Sequence, residues 1–486
     1  MTYKDPKNAD FASGGRRGQA PFSAGPVATG DRPPPEVVIV GGGFAGLSAA
    51  TMLADHGIRV LVLEARGRLG GRATAFVDRE TGEMVDNGQH VLFGCYRETF
   101  AFLRRIGADA NVRIQSSLEL PFIARAGNRS LLKCPSWPPP LHLLGGIMQW
   151  TALPLRDRLS ALRLAPAILR ARSSSAARAA AADETVLSWL RAHGQTDVLI
   201  TALWEPLAVA ALNQPLADAA AAPFVRVLAE MFGRDPSSAA LALPTKPLDQ
   251  MYADPARTFI EARGGSVRTG ALARVIAEGD RVSAVEVRQG DVNAATPGER
   301  ITVDRVVAAV PWHATRNLFS RLPPALESLV SSAAAMRGMP IATVNLWYDR
   351  VVMDTPFVGL TGRTVQWIFD KRQVFGEASS HLSLVVSAAE AIAALARDEL
   401  IEIAIREVRD ALPAAAEARL VRASVIREKR ATFSLSPGQP PRPANRTAVD
   451  GLVIAGDWTD TGLPATIEGA VVSGHAAARA ILEGRR

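Results

Sequence analysis

Four glycines in the run Gly41-Gly42-Gly43-Phe44-Ala45-Gly46 stand where a chain turns sharply and lets another molecule approach its backbone. The apolar run Val37-Val38-Ile39-Val40 precedes them, and a helix-like segment from Leu47 to His56 follows. A second apolar run, Val60-Leu61-Val62-Leu63, ends on Glu64. Strand, glycine turn, helix, strand and acid, in that order, make a dinucleotide cradle. Gly41 permits the turn, Gly43 lets the backbone approach a pyrophosphate, and Gly46 lets the helix pack on the strand. The helix N-terminus offers free N–H groups and a positive dipole end to the phosphates. Glu64, 18 residues past Gly46 (64 − 46), is placed to accept hydrogen bonds from an adenosine ribose.

Further groups extend the cradle. In Arg66-Gly67-Arg68-Leu69-Gly70-Gly71-Arg72, glycines alternate with arginines that can neutralise phosphates. Asp86-Asn87-Gly88-Gln89-His90 is a polar stretch abutting Val91-Leu92, which reads as a loop facing a site. Near the other end of the chain, the strand-like Leu452-Val453-Ile454-Ala455 runs into Gly456-Asp457, and a helix begins near Ile467-Glu468. Asp457 can accept a hydrogen bond from a polyol, and the helix N-terminus can face a pyrimidine carbonyl. Two such sites at opposite ends of one chain suit a long cofactor lying between them, which favours FAD over NAD.

These groups need elements to carry them. A chain of 486 residues with 48% hydrophobic content exceeds one ordinary core, so more than one domain is expected. Residues 1–35 are rich in Gly, Pro and Ala and read as a disordered tail. The FAD-binding part is expected from three segments, 36–134, 246–311 and 441–486. Residues 135–245 read as a helical insertion and 312–440 as a substrate domain. Within the insertion, an apolar Trp-bearing stretch and the arginine-bearing Leu155 to Arg172 have the pattern of a membrane-interface surface.

The net charge of +7, mostly arginine, suits an anionic partner. The arginines are not interleaved with aromatics, so nucleic acid is not the expected one. Two cysteines, Cys95 and Cys134, exclude a disulfide framework and point to a reducing compartment. The seven histidines show no ligand spacing, so no metal site is expected.

The opening VVIVGGGFAGLSAA, the run VLEARGRLGGR, AAVPWHAT and the closing AGDWTDTGLPATIEGAVVSG resemble the FAD-dependent amine oxidase and phytoene desaturase superfamily. Within it, VDNGQHVLFGCYRETFAFLRRIGA, LWEPLAVAALNQPLADAAAAPFVRVL and LPTKPLDQMYADPARTFIEARGGSVRTGA are similar to the hydroxysqualene dehydroxylase branch. The resemblance implies an α/β fold. Its Rossmann-like FAD-binding domain is assembled from discontinuous segments, beside a mixed sheet-plus-helical substrate domain. It implies non-covalent FAD contacted by Gly41, Gly43, Phe44, Ala45, Gly46, Glu64, Ala65, Arg66, Gly71 and Arg72. Gly88, Gln89, His90, Gly456, Asp457, Thr466 and Ile467 complete that set. Ala273 stands where superfamily members often carry a valine that touches the adenine through its backbone.

The implied reaction is reduction of an allylic C–OH, turning hydroxysqualene and reduced FAD into squalene, water and FAD. An external reductant must then reload the flavin. Hydroxide leaves poorly, so an acid must protonate it. His90 and Glu205 are the candidate acids, the first for a pKa near neutrality and the second for expected burial between Trp204 and Pro206. Phe93, Trp204, Phe224 and Trp367 are candidates to line a tunnel for a triterpenoid and stabilise a passing cation. The alternatives are a polyene desaturase, which accepts hydride and needs no such acid, and an amine oxidase. A lipophilic substrate places the protein in the cytoplasm, peripherally bound to an anionic membrane surface at the inner face of the plasma membrane.

Overall fold

Four β-branched residues in succession, Val37–Val40, form the middle strand of a five-stranded sheet, where stiff side chains pack well on both faces. The strand order is Ser266–Thr269, Val60–Glu64, Val37–Val40, Val306–Ala308 and Leu452–Ile454, all parallel. A single sheet is thus drawn from the beginning, the middle and the end of the chain. Helices Phe44–Asp55 and Ile467–Glu483 pack together beside it. This computed structural model describes residues 33–174, 181, 183–233, 235–289 and 298–484. All but the last residues of the expected N-terminal tail lie outside that set.

A second, seven-stranded sheet runs in the order Leu420–Phe433, Gly338–Tyr348, Ser380–Val386, Trp367–Asp370, Phe357–Thr361, Glu119–Ala124 and Arg129–Lys133. It is antiparallel except where Phe357–Thr361 meets Glu119–Ala124. Side chains alternate between its faces. Ala342, Val344 and Leu346 share a core with Ala404 and Val408 of helix Arg397–Ala411, while Ile341 on the other face reaches the central cavity. Helices Leu141–Gln149, Glu205–Leu212 and Ala221–Met231 roof that second face.

Two expectations change. The segment 36–134 is not wholly part of the first sheet, because Glu119–Ala124 and Arg129–Lys133 pair into the second. The two sheets also do not form separate bodies, since the contact pattern from Pro35 onward is that of one unit. No helix among the described residues is long and apolar enough to cross a membrane.

Candidate active site

A cavity of about 710 Å³ is lined by residues of both sheets and of the helical roof. At one end stands the glycine turn. Gly41 has φ +110°, and a Cβ there would lie 2.4 Å from the Ala309 carbonyl oxygen; one at Gly46 would lie 1.9 Å from the Gly41 oxygen. The protein's own packing therefore demands both glycines. Gly43 differs: a Cβ there would meet nothing nearer than Gly70 O and Gly71 Cα, both at 3.8 Å. The space in front of Gly43 belongs to the cavity, where a ligand's phosphates would lie.

Glu64 ends its strand with its carboxylate fixed by two backbone N–H donors, Gly42 N at 2.7 Å and Arg66 N at 2.8 Å. Each oxygen keeps a lone pair for a ribose hydroxyl. Arg66, Arg72, His313 and Arg430 line the same region. Burial, then Arg430, Arg72 and Arg66, push His313 down to about 4. Positive charge dense enough to do that fits a diphosphate. Asp457 is ion-paired with Arg72, whose Nη1 also donates to Ala431 O at 3.0 Å. Gly456, Thr466 and Ile467 line the cavity beside it, and Thr466 caps the last helix by accepting from Gly469 N at 3.1 Å. Phe44, Ala45, Ala65, Gly71 and Ala273 also line it, whereas Gly46 serves packing alone. The glycine turn, the fixed acid, the arginines and a helix N-terminus at the far side fit FAD.

The loop 86–90 joins the two halves. Asn87 Nδ2 donates to Arg72 O at 2.7 Å on the glycine side, and Gly88 lies against Thr343 of the seven-stranded sheet. Beneath the loop lies a charge pair absent from the sequence reading. Lys371 Nζ sits 3.2 Å from Asp86 Oδ2 and 2.6 Å from Gln89 Oε1, with both charged side chains 1% exposed. Leu248 N donates to the other Asp86 oxygen at 3.0 Å, and Gln89 Nε2 donates to His90 O at 3.1 Å. Lys371→Met leaves Asp86 charged and buried, and is expected to destabilise the protein by about 3–5 kcal/mol. Urea unfolding of the flavin-free protein checks this. The double change Lys371→Met with Asp86→Leu is expected to recover most of the loss, and a single-variant cost under about 1 kcal/mol would contradict the role.

His90 lines the cavity with Nδ1 2.9 Å from Gly88 O. A carbonyl only accepts, so Nδ1 carries the hydrogen and Nε2 keeps the free lone pair. Burial lowers its pKa, partly offset by Asp86 and the Gly88 carbonyl, with Lys371 adding to the lowering.

The second arm of the cavity is hydrocarbon. Leu120, Phe122, Leu143, Ile147, Leu203 and Trp204 line it, and no carboxylate from their segments joins them. A π-helical turn, Ile200–Trp204, delivers Leu203 and Trp204, the latter anchored by Nε1 on Gln195 Oε1 at 2.9 Å. Phe93 and Trp367 also line the cavity.

Two expectations do not hold. Phe224 is fully buried in the core and does not line the cavity, whereas Leu228 and Met231, further along the same stripe of helix Ala221–Met231, do. Glu205 is exposed and does not line the cavity. Partial burial still raises its pKa, but at the start of helix Glu205–Leu212 it faces away from the site where its neighbours Trp204 and Pro206 point. Among the described residues a single histidine, His381, lies with Glu83 and Glu377, their ligand-type atoms within 4.8 Å of one another. Those atoms are engaged by Trp347, Ser379 and Asn345.

Sequence reasoning missed Lys371, His313, Arg430 and Asn213. Asn213 adopts a left-handed conformation (φ 52°) at the end of its helix and ties Thr432, Met339 O and Ala388 N together beside the cavity. Its position after Ala211-Leu212, closing a helix, was the only available signal.

Residues 44–482 match the family model described as flavin containing amine oxidoreductase. A hydroxysqualene dehydroxylase of Rhodopseudomonas palustris is 30% identical over 460 residues, covering 93% of this chain and 99% of that protein. One of Sinorhizobium fredii is 29% identical, covering 92% and 98%. The 15-cis-phytoene desaturase of Solanum lycopersicum is 26% identical, covering 96% and 81%. Among solved structures, an oxidoreductase of Methanosarcina mazei superposes with a TM-score of 0.69 at 16% identity, covering 92% of this chain and 99% of that one, a likeness of fold. Matched along most of its length, and with a cavity that fits the cofactor, the chain belongs to the flavin-containing amine oxidoreductase family and is an FAD-dependent oxidoreductase.

Proposed function

We propose that this enzyme removes the allylic hydroxyl of hydroxysqualene to give squalene, beside the membrane that dissolves such a substrate. The observation that carries the reading is a hydrocarbon arm opening onto a loop that holds one histidine, His90, next to the FAD-binding half. The two relatives named hydroxysqualene dehydroxylase, aligned over nearly their whole length, support it.

The chain's residues then have defined tasks. Protonated His90 gives its Nε2 proton to the leaving hydroxyl, so water departs instead of hydroxide. Trp204, Phe93 and Trp367 of the cavity lining supply the aromatic rings that stabilise the allylic cation left behind. The apolar arm excludes water, which would otherwise return the cation to the alcohol. Reduced FAD, when bound, supplies the hydride that completes the C–H bond. Gly88 fixes the His90 ring, and the Asp86–Lys371 pair holds the loop in place.

The phytoene desaturase relative favours a second reading, in which the same cavity oxidises a polyene. Product analysis separates the two. Holoenzyme held reduced with dithionite is expected to convert hydroxysqualene to squalene. No squalene here, together with new double bonds in a polyprene offered to oxidised holoenzyme, would replace the dehydroxylase reading with the desaturase one.

A further inference from the structure

Of the twelve large hydrophobic side chains exposed among the described residues, six lie between 137 and 169: Trp137, Leu141, Leu155, Leu159, Leu162 and Leu169. Their exposures run from 41% for Leu162 to 55% for Leu155. Such a concentration marks an interaction surface rather than scattered surface leucines. Leu155–Ser160, Ala161–Leu164 and Ala165–Ser173 follow one another as an unbroken helical run. In it, Leu155, Leu159, Leu162 and Leu169 recur at spacings of four, three and seven, which keeps them on one stripe. Arg156, Arg163 and Arg170 recur at seven, one position later, and all three are exposed. They form a second stripe flanking the first.

The exposed charge of this segment has one sign. The only acid between 137 and 173 is Asp157, whose side chain is fully buried and pairs with Arg156 at 3.6 Å. An apolar stripe flanked by arginines, with an exposed tryptophan nearby, is the composition of a helix lying in a bilayer interface. The exposed carboxylate of the adjoining helix Asp197–Leu199, that of Asp197, is taken up by Arg191 at 3.0 Å. An ordinary apolar protein partner gives no reason for arginines flanking a run that has no exposed carboxylate of its own.

The surface is also continuous with the cavity wall. Helix Leu141–Gln149 turns Leu143 and Ile147 into the hydrocarbon arm, while Leu141 of the same helix is 54% exposed. One helix therefore separates the arm from the patch.

We infer that Trp137, Leu141 and the Leu155–Leu169 stripe dock this protein on an anionic lipid bilayer, which sets the hydrocarbon arm of the cavity against the membrane. The inference rests on the proposed function only for what passes through that wall. The docking itself follows from the patch.

The test uses flavin-loaded, full-length protein and flotation with vesicles of phosphatidylcholine alone or containing phosphatidylglycerol. Wild type is expected to float with the anionic vesicles and to bind them on the order of ten- to a hundredfold more tightly than neutral ones, with salt weakening the difference. The variant Leu155→Ser, Leu159→Ser, Leu162→Ser is expected to lose binding to both. The variant Arg156→Gln, Arg163→Gln, Arg170→Gln is expected to lose the preference for anionic vesicles. Both variants should keep their flavin and their activity on detergent-dispersed substrate, and lose activity on substrate embedded in vesicles. Should the leucine variant fail to fold, the arginine variant and the salt dependence decide. Binding unchanged in the arginine variant and insensitive to salt would overturn the inference. So would a patch that light scattering shows to be covered by a second copy, with no vesicle binding. Vesicle binding is measured without substrate, so it stands or falls separately from the identity of the reaction.

Discussion

Gly43→Ala is expected to leave the flavin-free protein as stable as wild type to within about 1 kcal/mol, yet to weaken FAD binding about ten- to a hundredfold. The first half follows from open space: a Cβ at Gly43 meets no protein atom closer than 3.8 Å, and the residue is an N-cap with φ −88°, which alanine adopts readily. Losing a glycine cap to alanine costs on the order of 1 kcal/mol at most. The second half follows because the new methyl enters the space assigned to the pyrophosphate. Overpacking of that kind costs about 1–3 kcal/mol, which corresponds to that range of affinity. Gly46→Ala makes the contrast, since its Cβ would sit 1.9 Å from the Gly41 oxygen and both fold and flavin should be lost. Thermal unfolding of the flavin-free forms and fluorescence titration with FAD separate the two variants. Equal FAD affinity in Gly43→Ala and wild type would remove the pyrophosphate from that position.

His90→Ala is expected to lower turnover about 10²- to 10⁴-fold with FAD still bound, the range a positioned general acid supplies. The pH profile carries the sign. The donor must be the imidazolium, and burial holds its folded pKa below the ordinary value of 6.5. At neutral pH most of the enzyme has His90 neutral and inactive as a donor. Activity is therefore expected to rise as pH falls through and below about 6.5, and to level off beneath the lowered pKa. His90→Ala should flatten that limb. The same lowering bears on stability: unfolded His90 takes up its proton first, so the contribution of neutral, buried His90 is present above about pH 6.5 and is lost as pH falls toward the folded pKa. Glu205→Gln, at an exposed position outside the cavity, should leave the profile in place. A flat profile in wild type, or one unmoved by His90→Ala, would take the histidine out of proton transfer.

The parts of the site legible in the sequence are those whose roles are set within a few residues. A glycine turn between two apolar runs can be read because sterics and strand patterning are local. Gly41, Gly43, Gly46 and Glu64 all fall where the strand–turn–helix–strand order places them. Within strands Gly338–Tyr348 and Ser380–Val386, the stretches 341–347 and 382–386 are rich enough in apolar and β-branched residues to mark a strand. Leu420–Phe433 escaped because it is an edge strand. Its charged LVRASVIREKRATF sequence leaves most of its side chains half-buried, so no apolar run marks it.

Roles that depend on distant pairing were hidden. Lys371 meets Asp86 across 285 positions, and nothing near Lys371 signals a buried cation. Glu205 was misjudged because its neighbours Trp204 and Pro206 are apolar and do face the cavity, while one step along a helix turns a side chain by about 100°. Phe224 shows the converse. An aromatic at helical spacing in a roof helix is as readily core as tunnel, and here it is core.

In the proposed reaction, a bound, reduced flavin is consumed by an allylic alcohol held in the hydrocarbon arm. Anaerobic photoreduction of the holoenzyme, followed by one equivalent of hydroxysqualene, tests it most directly. The oxidised flavin spectrum is expected to return with one squalene formed per flavin, and to return far more slowly in His90→Ala. A flavin that stays reduced while hydroxysqualene is recovered unchanged would contradict it.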